Sequence, residues 1–561
     1  MLKLQDYVCN ITENCFSTVM PIYTAISFAP VQGFIEKSRK LRDLFGASLI
    51  LSYLSQSLAN AADQTPELKV ISPALIHVQE GMPNRILIQG LFPRNEVEKV
   101  LIQAWDKVLQ PCREWIETNV PVHDLYHWDA EWLRWKQYTW EIFWGKGDDP
   151  SAAMNDLERR KLKRDWVGIN WTGESSSLTG TDAIAWHRLG EVRDPKHLLS
   201  EAEKRELKEF YRQLAWVLDD PHQRCGKIVD AGVEPEGKFI AANERLSLPE
   251  LIKRLVTLPK LAKKIGLEDL AEGFKDIYRE PGYWTGWFMG DGDQIGNKLK
   301  DIVQRYGDEK LEVFSHKMRS WGQTFQDDST QFPQGKGRVI YAGGDDFLGV
   351  IYSEQNQSGE PAPEQVKPID ALNWLMQLPD QWQTLKTELW HDLEIEHTYS
   401  VGFVWAGHSV PQRDILQHCR EAEKQAKSLG RDRVTIRIVF NNGQFIQWTC
   451  PWSYLSILTK YQDREGRTWG DAKLNWTHLY SDWEQLKARH AIRLTETDQY
   501  HADSYLALQL FNFYFDDAGK AIQKNPQDKR WKYLVGSNSE LAIVQWIDSL
   551  IQIGWQLCSN I

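Results

Sequence analysis

Paired cysteines are missing from this chain. Its seven cysteines (Cys9, Cys15, Cys112, Cys225, Cys419, Cys450, Cys558) are scattered, odd in number and form no C-x2-C pair. That argues against a cysteine-based zinc site and for a reducing compartment. No signal peptide is expected either, since Asp6 and Glu13 stand where one would be basic and then apolar. The longest late apolar run, around Ile543 to Leu557, is short and interrupted by Asp548, so no spanning helix and no membrane partner are expected. Positive charge is in deficit, with a net charge of −11. This excludes a surface that binds nucleic acid everywhere, but leaves room for local basic patches or for a complex whose other subunits hold RNA. The remainder, 561 residues of which 42% are hydrophobic and 25% charged, is an ordinary globular chain expected in the cytoplasm, with room for about three to five domains.

The densest chemistry lies in Val339-Ile-Tyr-Ala-Gly-Gly-Asp-Asp-Phe-Leu-Gly-Val350, two short apolar strands joined by a turn. Gly343 and Gly344 permit positive φ and leave no side chain between the turn and a ligand. Asp345 and Asp346 present adjacent carboxylates that would both ionise at neutral pH only beside cations, which suits Mg²⁺ shared with substrate phosphates. An ordinary acidic turn would use the same residues. A second acidic turn tips the reading: Tyr283–Met289 reads as a buried strand running into Gly290-Asp-Gly-Asp293, followed by helical spacing at Ile295, Leu299, Ile302 and Val303. Asp291 then sits at a strand end beside the free N–H groups of a helix start, a place suited to a metal-bound phosphate. A calcium loop fails because its fifth and twelfth positions are Ile295 and Ile302, and a dinucleotide fingerprint fails because Ile295 replaces a required glycine.

Elsewhere, Ile22–Ser27 reads as a strand, Phe28–Gly33 as a turn, and the following helix carries Arg39, Lys40 and Arg42, a phosphate-facing or simply solvated basic face. Arg85–Gln89 is another strand candidate, which makes the region an α+β layer. Residues 94–165 read as helical and tryptophan-rich, with the basic segment Arg159–Arg164. His123-Asp124 and His127 there tempt a metal-hydrolase reading, yet they share one amphipathic segment instead of converging from separate ones. His222 and Cys225 have the spacing of half a metal site without a second half. Glu354–Glu364 reads as a polar, disordered loop, Thr398–Trp405 as a strand, Asp414–Leu429 as a helix placing Lys427 near its end, and Arg433–Phe440 as a strand. Counted from Tyr283, this order fits a sheet backed by helices on one face, the palm arrangement of nucleotide polymerases and cyclases. From about 451 onward the spacing is helical in Trp483–Ile492, Tyr505–Phe515 and Leu541–Trp555.

Taken together, FAPVQGFIEKSRKLRDLFGASLILSYL (Phe28 to Leu54), GMPNRILI (Gly81 to Ile88), GDGDQIG (Gly290 to Gly296), YAGGDDFLGV (Tyr341 to Val350) and SVGFVWAGHSVP with the AEKQAKSLGR helix (Ser400 to Arg431) carry a resemblance. The chain resembles the large subunit of type III CRISPR effector complexes, a family of palm-containing cyclic oligoadenylate synthetases, and most of all its type III-B branch. The resemblance implies an α+β chain with two ferredoxin-like palm domains: an N-terminal palm-like domain with a helical insertion (1–165), a helical zinc-finger-like domain (166–278), a catalytic palm (279–450) and a C-terminal helical domain (451–561). Carried over by position, Asp291, Asp345 and Asp346 match the family's metal-binding acids. Gly292, Asp293, Gly343 and Gly344 match its nucleotide-facing turns, and Lys427 resembles a phosphate-contacting lysine of related cyclase palms. Two departures matter. Fewer than about thirty residues precede the Pro-Val-Gln segment, so no HD nuclease domain is expected. The zinc domain's framing survives in Asn170–Glu174 and Asn243–Arg254, but Ile169, Thr172, Ser247 and Glu250 stand where cysteines belong; zinc is therefore not expected, and that domain must be held by packing.

The implied activity is polymerisation of ATP into a cyclic oligoadenylate messenger for antiviral defence, with Mg²⁺ or Mn²⁺ as the ion, triggered when target RNA pairs with the crRNA. The implied partners are the other effector subunits, crRNA and target RNA. Two alternatives stand beside it. One is a catalytically silent scaffold that caps the crRNA 5′ end. The other is a diguanylate-type cyclase, disfavoured because such palms are usually single modules attached to sensors.

Overall fold

The structure, a computed structural model, describes residues 22–76, 81–122, 125–164, 169, 171–191, 194, 196–241, 243–267, 274–355, 361–495, 500–515, 529–537 and 539–558. Asp6, Cys9, Glu13, Cys15, His123-Asp124, Asn170 and the centre of the Glu354–Glu364 loop lie outside them.

The N-terminal sheet contains β1 (Tyr23–Ala29), β2 (Lys69–Ser72), β3 (Arg85–Gln89) and β4 (Glu141–Gly147), in the order β2-β3-β1-β4. The helix Leu41–Asp63 joins β1 to β2, and the helix Arg94–Asn119 leads from β3 towards β4. All pairings are antiparallel, which gives the βαββαβ ferredoxin-like topology. β4 corrects the all-helical reading of residues 94–165. Its period of two is hidden because Gly145 and Gly147 have no side chains, and those glycines are what let the helix Pro150–Lys161 lie directly on the strand: a Cβ on either would collide with the helix backbone.

The second sheet contains β5 (Thr285–Gly292), β6 (Gly337–Ala342), β7 (Asp346–Ile351), β8 (Tyr399–Ala406), β9 (Arg433–Val439) and β10 (Phe445–Pro451), in the order β10-β9-β8-β5-β7-β6. Its β8-β5-β7-β6 portion repeats the topology of the first sheet. β9 is added parallel to β8 through the helix Gln412–Ser428, and β10 folds back on β9. The expectation of helices on one face is corrected here, because both faces are covered. Ile415, Leu416 and Cys419 pack with Val404, Ala406 and Val439 on one side, where Gly402 lets the helix approach so closely that a Cβ would strike the Cys419 carbonyl. On the other, Phe288, Phe347, Tyr399 and Phe403 pack with Phe314, Met318, Trp321 and Phe325 of the helix Asp308–Asp327. Strands buried on both faces read as unbroken apolar runs, as β8 and β9 do.

Of the basic residues after the first strand, Arg39 is exposed, whereas Lys40 and Arg42 are turned into the protein. Asp43 Oδ2 accepts the Arg39 and Lys40 N–H groups at 2.9 Å each, which starts the Leu41–Asp63 helix. Lys40 Nζ donates to the Phe239 carbonyl (3.1 Å), and Arg42 lies over the rings of Phe239 and Phe274. Arg254 is fully buried and joins the two segments, with Nε donating to Asp43 Oδ1 (2.7 Å) and Nη1 to Glu244 Oε2 (2.6 Å). Around Ser247 and Glu250 packing is joined by a buried polar knot. Glu250 Oε1 accepts from Ser176 and Thr179, and Oε2 from the Ser247 N–H at 2.7 Å.

After β10 the chain is helical, with Thr477–Ala488, Tyr500–Phe515, Lys529–Val535 and Glu540–Cys558 among its helices. The last of these packs on the sheet through Trp546, whose Nε1 donates to the Thr449 carbonyl at 2.9 Å. Among the described residues no helix is long and apolar enough to cross a membrane.

Candidate nucleotide site

The two acidic motifs meet at one sheet edge. Asp291, at the end of β5, is the cross-strand partner of Asp346 at the start of β7. The intervening turn is closed by Gly343 N–H donating to the Asp346 carbonyl (2.8 Å) and Gly292 N–H donating to the Asp345 carbonyl (2.6 Å), so three carboxylates arise within two strand ends. Gly344 adopts φ +108°, and a Cβ there would lie 2.7 Å from the Met318 carbonyl. Its conformational freedom seats the turn on the Asp308–Asp327 helix. Tyr399 Oη donates to the Gly344 carbonyl from beneath.

These residues face a cleft of about 790 Å³ walled by both sheets, within the ~300–1,000 Å³ range of small-molecule sites. Asp291, Gly292, Gly343, Asp345, Asp346 and Lys427 line it. Gly344 and Asp293 do not: the former is turned to the helix, and the latter is buried within the palm. The helix Ile295–Tyr306 begins at the cleft without a side-chain cap, with Gln294 at φ +59°, so its first N–H groups offer partial positive charge there. Sequence reasoning missed Arg431, one turn beyond Lys427, whose signal was the Lys-Ser-Leu-Gly-Arg spacing at a helix end. It also missed the opposite wall, built by Asn84 and Arg85 of the first palm. The two walls touch directly. Gly81, at φ +61°, lies so close to the Ala342 carbonyl that no side chain would fit, and Arg319 Nη1 donates to the Gly81 carbonyl at 2.5 Å.

The electrostatics are those of a site awaiting positive charge. Loss of solvation raises the Asp345 carboxyl, with the Asp291 charge adding to it and Arg85 opposing it. Asp346 is held well above the ordinary carboxylate range by loss of solvation and then by Asp345 and Asp291. Burial pulls Arg319 down to about 10 despite both aspartates. Burial also acts to lower Lys427, but ion pairs with Glu423 Oε1 (2.6 Å) and Asp291 Oδ2 (2.9 Å) outweigh it and leave its pKa raised.

A divalent cation fits this donor set. The point where a Cβ of Gly343 would stand has Asp346 Oδ1 at 2.6 Å, the Gly81 carbonyl at 3.3 Å and Asp345 Oδ1 at 3.8 Å, a cradle lined by hard oxygens. Among the described residues no three His, Cys, Asp or Glu side chains are grouped to hold an ion by themselves, so substrate oxygens would complete its shell.

Residues 284–435 match the family model for the second palm domain of Cas10/Cmr2, and residues 23–110 match that for the N-terminal region of CRISPR-associated protein Cmr2. No curated protein matches significantly. Among solved structures, a chain of a type III-B Cmr-beta complex in its apo state is 11% identical with a TM-score of 0.54, over 95% of this chain and 82% of that one. Chains of an apo Csm1-Csm4 cassette and of the cassette in complex with cA4 are each 14% identical, with TM-scores of 0.48 and 0.47. They cover 98% and 96% of this chain, and 72% and 70% of theirs. The Cmr-beta likeness shows a shared fold.

Proposed function

We propose that this chain, which belongs to the Cas10/Cmr2 family of CRISPR-associated proteins, uses its second palm to join ATP molecules into a cyclic oligoadenylate once a guide RNA has paired with its target. The observation that carries the reading is the meeting of Asp291, Asp345 and Asp346 on paired strand ends at the floor of a cleft large enough for nucleotides. In the reaction, the 3′-hydroxyl of one ATP attacks the α-phosphate of another. Pyrophosphate leaves and the hydroxyl proton passes to solvent. A divalent cation, when bound, supplies the charge that lowers the hydroxyl pKa and offsets the negative charge developing on phosphate. Asp291, Asp345 and Asp346 are the residues to hold it. Their raised affinity for protons at Asp345 and Asp346 is what positive charge would relieve. Lys427 and the uncapped start of the Ile295–Tyr306 helix bind and orient phosphate oxygens, and Gly343 keeps the approach to Asp346 open.

The chain works within an effector complex that supplies the guide, and other subunits of that complex are its partners. The test is to assemble it with guide RNA and partner subunits, add matched target RNA, Mg²⁺ and labelled ATP, and resolve the products. Cyclic adenylates that vanish in Asp345→Ala with Asp346→Ala, while assembly persists, are the expected result. Retained turnover would show that the metal site lies elsewhere.

One observation favours a second reading, a silent scaffold: Asp291 is already engaged by Lys427. A complex that assembles and binds target RNA but makes no product from ATP or GTP would select it.

A further inference from the structure

Asp293 lies two residues beyond Asp291 and belongs by sequence to the same acidic turn, yet it is 3% exposed and takes no part in lining the cleft. Its carboxylate is fully engaged inside the palm. Oδ1 accepts from Ser400 Oγ at 2.7 Å; Oδ2 accepts from Thr398 Oγ1 at 2.8 Å and from the backbone N–H of Asp432 at 3.0 Å. Its own N–H donates to the Thr398 carbonyl at 2.9 Å. The carboxylate therefore ties the β5 turn to β8 and, through Asp432, to the loop that leaves the Gln412–Ser428 helix.

That loop follows an uncommon path. Gly430, Arg431 and Asp432 are three consecutive residues with left-handed φ, at +129°, +66° and +49°. Glycine adopts such angles freely, whereas arginine and aspartate incur a steric cost and hold them only where the surroundings fix the backbone. Side chains fix it from two sides: Asp293 accepts the Asp432 N–H, and Arg433 Nε donates to the Arg431 carbonyl at 2.9 Å while its Nη2 donates to the Tyr533 carbonyl at 3.0 Å. Backbone bonds add to these, the Arg431 N–H donating to the Ala426 carbonyl at 3.2 Å and the Trp452 N–H to the Asp432 carbonyl at 3.3 Å. The consequence of the path is that Arg431 lines the cleft on the same wall as Lys427. Lys427 is already paired with Asp291 and Glu423, and Arg431 adds a further cation to the cleft beside it.

We infer that Asp293 is a positioning residue for nucleotide binding: by accepting the Asp432 N–H it holds residues 430–432 in their left-handed path and thereby keeps the Arg431 guanidinium in the cleft, where it meets the phosphates of bound ATP. The inference rests on the ATP reading of the cleft, and deepens it by giving the buried member of the acidic motif a task distinct from that of Asp291.

The test is equilibrium titration of the full chain with ATP and Mg²⁺ for wild type, Asp293→Asn, Arg431→Ala and the double variant, with thermal melting alongside. Asp293→Asn and Arg431→Ala should each weaken ATP binding about tenfold, the scale of one charge-assisted contact. The double variant should bind no more weakly than Arg431→Ala alone. Asp432→Gly placed in the Asp293→Asn chain should restore affinity, because glycine takes the left-handed path without a latch. Should Asp293→Asn fail to fold, Thr398→Val loosens the same carboxylate from outside, and its loss of affinity should likewise disappear in the Arg431→Ala background. Losses that multiply in the double variant, or full affinity in a folded Asp293→Asn chain, would overturn the inference while leaving the ATP reading intact. A folded wild-type chain that binds no ATP would overturn both.

Discussion

Gly343 offers the sharpest test of the cleft, because at this glycine the backbone permits a side chain and the site does not. Its φ lies outside the left-handed region, so alanine can adopt the same backbone. The added methyl would stand 2.6 Å from Asp346 Oδ1, whereas ordinary contact begins at 3.4 Å. The carboxylate must therefore swing or retreat by about 0.8 Å, the difference between those distances. Misplacement on the 1 Å scale costs on the order of 10²-fold in rate, or about 2.7 kcal/mol at 1.36 kcal/mol per tenfold. Gly343→Ala should accordingly lower ATP turnover by the assembled complex about a hundredfold while its melting temperature stays at the wild-type value. Gly344→Ala behaves differently. It forces a side chain onto φ +108° and to 2.7 Å from the Met318 carbonyl, so folding suffers first, by about 1 kcal/mol or more. Gly343→Ala turning over ATP at the wild-type rate would refute the assignment of Asp346 to the reacting centre. A melting loss equal to that of Gly344→Ala would refute the claim that the backbone tolerates the methyl.

Arg254→Ala leaves two buried carboxylates, Asp43 and Glu244, without their shared cation, and should cost about 3–5 kcal/mol, read as a lowered urea midpoint at unchanged slope. Arg254→Lys should recover only part of this, since one ammonium cannot reproduce the forked contacts. The pH dependence follows from the raised aspartates. Folded Asp345 and Asp346 keep protons that the unfolded chain, titrating near 3.9, has already lost. Metal-free stability should therefore fall as pH rises from that value through the raised folded ones. Mn²⁺ must displace those protons, so its affinity, followed by paramagnetic resonance, should tighten as pH rises above the ordinary carboxylate range and be lost in Asp345→Asn with Asp346→Asn.

Much of the palm was legible because its strands are apolar runs closed by glycine, aspartate or asparagine. Arg85–Gln89 and Arg433–Val439 emerge with the expected starts, and the Gly-Gly-Asp-Asp hairpin falls where its turn residues put it. The strands that escaped were those whose partners are remote. β10 mixes an exposed Phe445 with half-buried Ile446 and Gln447, and becomes a strand because β9 pairs with it and the helix Glu540–Cys558 covers it from about ninety residues away. β2 is four residues long, too short for a period to declare itself. The three acids were readable from local pattern alone. The fate of Asp293 was not, because what distinguishes it from Asp291 is hydrogen bonding to Ser400 and Asp432, more than a hundred residues on. Lys40 and Arg42 misled for the same reason, since their partners, Phe239 and Phe274, lie about two hundred residues on.

The two palms show how little of this chemistry belongs to the fold. In the second, the last register pair between the first and third strands is Asp291 with Asp346; in the first, the topologically equivalent pair between β1 and β3 is Ser27 with Arg85. One fold thus ends in carboxylates and the other in a hydroxyl and a guanidinium; the carboxylates and Arg85 line the same cleft, where the Arg85 charge acts against protonation of Asp345. Arg85 is held by Glu158 at 3.0 Å, on the helix that Gly145 and Gly147 allow to lie against β4. Arg85 thus faces, from the first palm, the carboxylates that the second palm presents beside Lys427 and Arg431. The contact of Gly81 with Ala342, and of Arg319 with the Gly81 carbonyl, is accordingly part of the site itself: it sets the width across which the two charges face each other.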